Sequence, residues 1–224
     1  MLFLLGSLNA SPDVLISTAI GLLLALLIGM TVHEWAHNYV AHLMGDPVPQ
    51  RLGRLTLNPM VHIYWPGFVM AFLIGYGILG SAPIAAHRMR NPRYGYLMAV
   101  AAGPVSNLIL AILLSLVYRG VLGTLGPDSN FELLQYSLII IGVMISMNIL
   151  LFLFNLLPFS PLDGWSIVYT LLPPREAIWW ERNRQNSQMV FFALIFIGFA
   201  IPGFSPLSYL IGQPMSFIQG LLLG

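Results

Sequence analysis

The sequence predicts an all-α polytopic membrane protein with a three-helix core, a re-entrant or hairpin segment, and further membrane helices toward the C-terminus. Three observations carry this expectation. Of 224 residues, 58% are hydrophobic and only 8% charged, too few charges to coat a water-soluble domain. Residues 14–44, 94–118 and 132–157 each supply the ~20 mainly apolar residues that cross ~30 Å of hydrocarbon. The nine basic residues, all arginine, gather in a few loops, as charge does when it reports topology. A formal net charge of +1 excludes a nucleic-acid-binding stripe, so the lipid bilayer is the expected surround. With no cysteine, any metal must be held by His, Asp, Glu or backbone oxygen.

The opening "MLFLLGSLNASP" lacks the basic region of a signal peptide and reads as a retained interfacial or partly inserted segment. The first span, residues 14–44, carries "HEWAH" in its second half. Residues 65–83, "WPGFVMAFLIGYGILGSAP", are apolar but short and broken by four glycines. If they dip and return, Arg51, Arg54, Arg88, Arg90 and Arg93 share a side with Arg175, Arg182 and Arg184, leaving only Arg119 opposite. That is the positive-inside pattern, so a re-entrant segment and a site toward the cytoplasmic side are expected. The second and third spans follow. Residues 188–201, with Pro202 and the flanking residues, make a shorter fourth span, and residues 207–223, with Pro214 inside, an interfacial or half-inserted piece. No repeat or polar linker divides the chain, so residues 1–224 form one membrane-embedded domain with its core at about 14–166.

In "HEWAH" the two histidines, His33 and His37, are four residues apart and face the same side of a helix, about 6 Å apart along its axis. Both imidazoles can reach one ion, and Glu34 lies close enough to hold a water without being a ligand. This is the zinc metallopeptidase arrangement, in which a water acidified by the ion gives its proton to the glutamate, which returns it to the leaving amine. The bland alternative is a set of polar residues near a helix end, facing other helices or the headgroups.

Two histidines and a water leave a tetrahedral site one protein ligand short. His42 falls on the opposite helix face, and Glu132 lies across the membrane. Glu176 and Glu181 sit in an arginine-bearing loop, where solvated ion pairs explain them. Asp163, in "NLLPFSPLDGWS", ends on the side of His33 and His37. There Asp163-Gly164 is expected to form a turn that points the carboxylate inward; an ordinary turn residue is the alternative.

"HEWAH", "AAGPVSN" at 101–107 and "NLLPFSPLDG" at 155–164 stand in the order and approximate spacing of the site-2 protease family, the intramembrane zinc metalloproteases, which the chain resembles over residues 16–166. The loop at 45–67 also resembles the compact branch, which lacks PDZ and CBS domains, although Tyr64 stands where that branch would have an acidic residue nearby. The resemblance implies one Zn2+ held by His33, His37 and Asp163, with Glu34 as catalytic base. It implies a transmembrane protein as substrate, cut within or beside its membrane segment. It also marks Asn155 for substrate binding or transition-state stabilisation. An asparagine there can donate to an oxyanion or pair with extended substrate backbone, or can bond between helices.

Ala101, Ala102 and Gly103 permit close helix approach, Asn107 is expected to pack rather than support the site, and His62 reads as a loop histidine. The arginines beside His87 read as lipid anchors and the tryptophans as an aromatic belt. A metal-ion transporter, or a non-catalytic metal-binding membrane protein, could use His33, His37, Glu34 and Asp163 as a transit site. Such a protein would carry more polar residues along its spans than this one.

Overall fold

The computed structural model describes residues 11–75, 77, 79–124, 132–201 and 204–224. The readings made for the N-terminal ten residues and for Pro202 lie outside them.

Helix α1 (Pro12–Leu43) opens with Pro12 at its first position, where the missing N–H costs nothing. Its buried Thr18 and Thr31 hydroxyls donate to the carbonyls of Val14 and Leu27 one turn back, so neither leaves an unpaired polar group in an apolar setting. Two short pieces follow, α2 (Val48–Arg51) and α3 (Trp65–Ile74). Helix α4 (Pro92–Thr124) starts under the Asn91 side chain, which accepts from the Tyr94 N–H at 3.1 Å. The third long helix is α5 (Glu132–Asn155), followed by α6 (Asp163–Leu171), α7 (Pro174–Arg182), α8 (Arg184–Ala200) and α9 (Pro206–Leu223).

Three helices, α1, α4 and α5, are long and apolar enough to cross a membrane, and each packs on the other two. The protein is an all-α polytopic membrane protein. Gly21, Ala25 and Gly29, four residues apart on α1, make that packing close. A Cβ at Gly21 would stand 2.9 Å from the Val143 Cβ, and one at Gly29 would stand 2.9 Å from Asn148 Oδ1. Such small-residue stripes replace the hydrophobic drive that lipid cannot supply between helices.

The segment after α2 goes in and comes back. Helix α3 is only ten residues, about 15 Å at 1.5 Å per residue. Gly75 ends it with φ 89°, and the chain returns until Gly80 bridges Ile63 antiparallel and the Tyr64 N–H donates to the Leu79 carbonyl at 2.8 Å. Its two ends therefore meet at one level. Arg54 ties the return limb from outside through the Ser81 carbonyl, 3.1 Å away. Asp46, fully buried, ties it from within: one carboxylate oxygen accepts from Val48 N–H and the other from Ala85 N–H.

Two local expectations change. Asp163 and Gly164 open α6 instead of forming a turn, and the turn that follows α5 lies so close that a Cβ at Gly164 would strike the carbonyls of Leu156 and Leu157. Trp165 is buried and stacked on Trp180 at 4.2 Å, a packing contact and not a belt position. Residues 206–223 form one 18-residue helix along α5 and α4, its last carbonyls accepting from the Arg119 guanidinium.

Candidate metal centre

Helix α1 carries His33, Glu34 and His37 in its C-terminal half, all buried. Helix periodicity aligns the two histidines, and what faces them decides which nitrogen carries the hydrogen of the neutral ring. His37 Nδ1 lies 2.8 Å from the Ala99 carbonyl on α4, and a carbonyl can only accept, so Nδ1 bears the hydrogen. His33 Nδ1 lies 2.7 Å from Asn107 Oδ1, which likewise accepts. In the neutral ring, the form that can bind an ion, each Nε2 is then left with a bare lone pair.

Those lone pairs converge. The two Nε2 atoms are 3.0 Å apart, and Asp163 Oδ2 stands 3.1 Å from that of His33 and 3.3 Å from that of His37. Asp163 Oδ2 is buried without a hydrogen-bond donor. Three inward-facing acceptors repel one another unless a cation stands among them. A point equidistant from the three lies about 1.8 Å from each, close to the ~2.0–2.2 Å of zinc–nitrogen and zinc–oxygen bonds. Helix α4 leaves room for an ion: a Cβ at Gly103 would run into the Nε2 atoms of both histidines. The donor set fits one divalent ion such as zinc, with a coordination position to spare.

Glu34 sits beside this cluster under the return limb of the α3 hairpin. Its Oε1 would be 2.7 Å from a Cβ at Gly80, and its Oε2 is buried without a partner. An unpaired buried carboxylate oxygen beside three converging acceptors is free to take a proton or a water.

The other candidates fall outside the cluster. Asn155, half-buried at the end of α5, donates its amide to the Leu151 carbonyl one turn back. His62 is buried and reaches the Thr56 carbonyl through Nε2 at 2.6 Å, and burial pushes its pKa below the ordinary imidazole value. His62 thus holds the loop, while its backbone carbonyl stands beside Gly80. His42 is not part of the metal group.

Sequence reasoning underweighted Asn107. The side chain is fully buried, accepts from His33, and donates to the Gly29 carbonyl at 3.1 Å and to Asn148 Oδ1 at 3.0 Å. Its position four residues after Gly103 was the available signal, since that spacing puts both on the α4 face that meets α1.

A Bacillus subtilis (strain 168) protein named "Putative zinc metalloprotease YwhC" is 39% identical over 157 residues, covering 68% of this chain and 69% of its own length. This chain belongs to that zinc metalloprotease family. The chain is also similar to a Mycolicibacterium smegmatis (strain ATCC 700084 / mc(2)155) protein named "Putative zinc metalloprotease Rip2". It is 28% identical over 154 residues, which cover 66% of this chain and only 56% of the relative. No family model matches, and no solved structure matches.

Proposed function

We propose that this protein is an intramembrane zinc endopeptidase of the site-2 protease type, in its compact branch, hydrolysing a peptide bond within or beside the transmembrane segment of another protein. The observation that carries the reading is the convergence of three bare acceptors, His33 Nε2, His37 Nε2 and Asp163 Oδ2, on one point among the three apolar helices. The zinc metalloprotease names of the relatives support it.

Those three atoms would hold the ion. Bound there, zinc would supply Lewis acidity, acidifying water and polarising the scissile carbonyl. Glu34 accepts the proton of the attacking water on its unpaired carboxylate oxygen and delivers it to the leaving amine nitrogen. The hairpin limb at Gly80 lies on Glu34 and limits the water that reaches it. Asn155 would serve substrate by releasing the Leu151 carbonyl and donating to an oxyanion or an extended strand. The chain acts as one membrane-embedded domain, and the arginine-bearing loops support a site open toward the cytoplasm.

The test is cleavage of single-span membrane proteins by the purified enzyme in detergent or vesicles. Wild type should cut, and Glu34→Gln should keep its metal while losing about 10²–10⁴-fold in rate, because an amide cannot take the proton. Undiminished cleavage by the variant would remove the mechanism.

A further inference from the structure

The two histidines are held by different means. His37 is fixed by a backbone carbonyl, which cannot change its role, whereas His33 depends on an amide side chain that could rotate and offer its NH2 instead. With that NH2 facing it, His33 would have to present a lone pair at Nδ1 and carry its hydrogen on Nε2, where it blocks an ion. Something must hold the Asn107 amide the right way round.

Two acceptors do so. The Asn107 Nδ2 donates to the Gly29 carbonyl of α1 and to Asn148 Oδ1 of α5. Asn148 is itself oriented, because its Nδ2 donates at 2.8 Å to the Met144 carbonyl one turn back, leaving only the oxygen to face Asn107. The series therefore has one direction: Met144 carbonyl, Asn148, Asn107, His33. It starts at a backbone oxygen that can only accept and ends at an imidazole whose Nε2 is bare. Asn107 and Asn148 are both fully buried, so no solvent water competes for these bonds. The α1–α5 approach at Gly29 is what admits Asn148 to the chain, since a Cβ there would stand 2.9 Å from its Oδ1.

We infer that Asn107 and Asn148 are positioning residues that select the metal-binding tautomer of His33, Asn107 by accepting its Nδ1–H and Asn148 by keeping the Asn107 oxygen turned toward it. This rests on the metal reading of the His33, His37 and Asp163 cluster. Neither residue touches substrate. In chemical terms they make His33 Nε2 a permanent acceptor, which raises the affinity for a divalent ion without adding a ligand.

The distinguishing experiment is a double-mutant cycle read by metal affinity, using cobalt as a spectroscopic probe with the full-length protein in detergent. Asn107→Leu should weaken binding by about 10–100-fold, as loss of a group supporting a ligand does. Asn148→Leu should weaken it less, because the Gly29 carbonyl still restrains Asn107. Asn107→Asp has two oxygens and no wrong orientation, so it should hold cobalt better than Asn107→Leu, and in that background Asn148→Leu should cause no further loss. A purely packing role predicts that Asn148→Leu costs the same in both backgrounds, and equal losses would overturn the inference. So would wild-type affinity in Asn107→Leu. Should Asn107→Leu not fold, the Asn148→Leu pair in the two backgrounds decides the matter alone. A wild-type protein that binds no cobalt or zinc would instead sink the metal reading and is distinguishable by that fact.

Discussion

Gly103 shows how tightly a single position is constrained by the ion it would face. A Cβ there would strike Nε2 and Cε1 of His37 and Nε2 of His33, so Gly103→Ala crowds the imidazoles that would hold the ion. Overpacking of this kind costs about 1–3 kcal/mol, and here it displaces the imidazoles that would hold the ion. Metal affinity should drop roughly 5–100-fold as the two imidazoles are pushed aside, while Gly120→Ala on the same helix, with nothing within 4 Å of its Cβ, should leave affinity unchanged. Isothermal titration of both variants checks this, and equal affinities would show that the space beside Gly103 is not the ion's. At this scale "HEWAH" was legible because one helix delivers both imidazoles at a fixed spacing. Gly80, which covers Glu34, and Asp46, which fixes the limb bearing it, were not legible, because their roles arise from contacts across 46 and 39 residues of chain. Asn107 was singled out in the sequence but given to packing, since nothing in one chain's pattern reveals that its partner is His33.

Asp163 reaches the site through the placement of a whole element. Helix α6 is nine residues long and α4 is the element it packs on most, with its C-terminal end gripped by Arg93. The guanidinium donates to the carbonyls of Thr170, Leu171 and Leu172 at 2.7, 3.1 and 2.9 Å, the groups a helix end leaves unpaired. Asp163 at the opposite end gains from the positive pole of the same helix dipole. Arg93→Met should therefore lower thermal stability in detergent by about 1 kcal/mol, a modest figure because the side chain is exposed. It should also reduce metal affinity, which a lipid-anchoring arginine would not affect. Unchanged affinity with unchanged melting would show that the Arg93 grip does not position Asp163. The spans themselves were legible from apolar length alone, and their ends differ by a few residues from the expected ones. The start of α6 was not legible, because Asp-Gly reads locally as a turn and the backbone of Leu156 and Leu157, which makes the glycine necessary, arrives from another element.

Across the whole molecule, the arginine distribution and the α3 hairpin make one joint statement about topology. Ile63 pairs with Gly80, so the loops on either side of residues 65–79 leave the hairpin at one level, and Arg51, Arg54, Arg88, Arg90 and Arg93 fall on one face. Helix α4 then carries Arg119 away from that face, where it closes the end of α9 by bonds to the carbonyls of Leu221 and Leu222. A positively charged face is the one retained in the cytoplasm, since moving a positive charge across the membrane against the potential costs about 2.3 kcal/mol per 100 mV. The chain has no cysteine, so single thiols report position without background. Leu52→Cys and His87→Cys, both at exposed sites flanking the hairpin, should react with an impermeant maleimide only from the cytoplasmic side. Gly123→Cys, at the far end of α4 with open space around it, should react only from the other. Opposite accessibility of positions 52 and 87 would mean that residues 65–83 cross the bilayer, which the Ile63–Gly80 pairing forbids. Labelling of both from outside would keep the hairpin but invert the protein, and the zinc site would then open away from the cytoplasm.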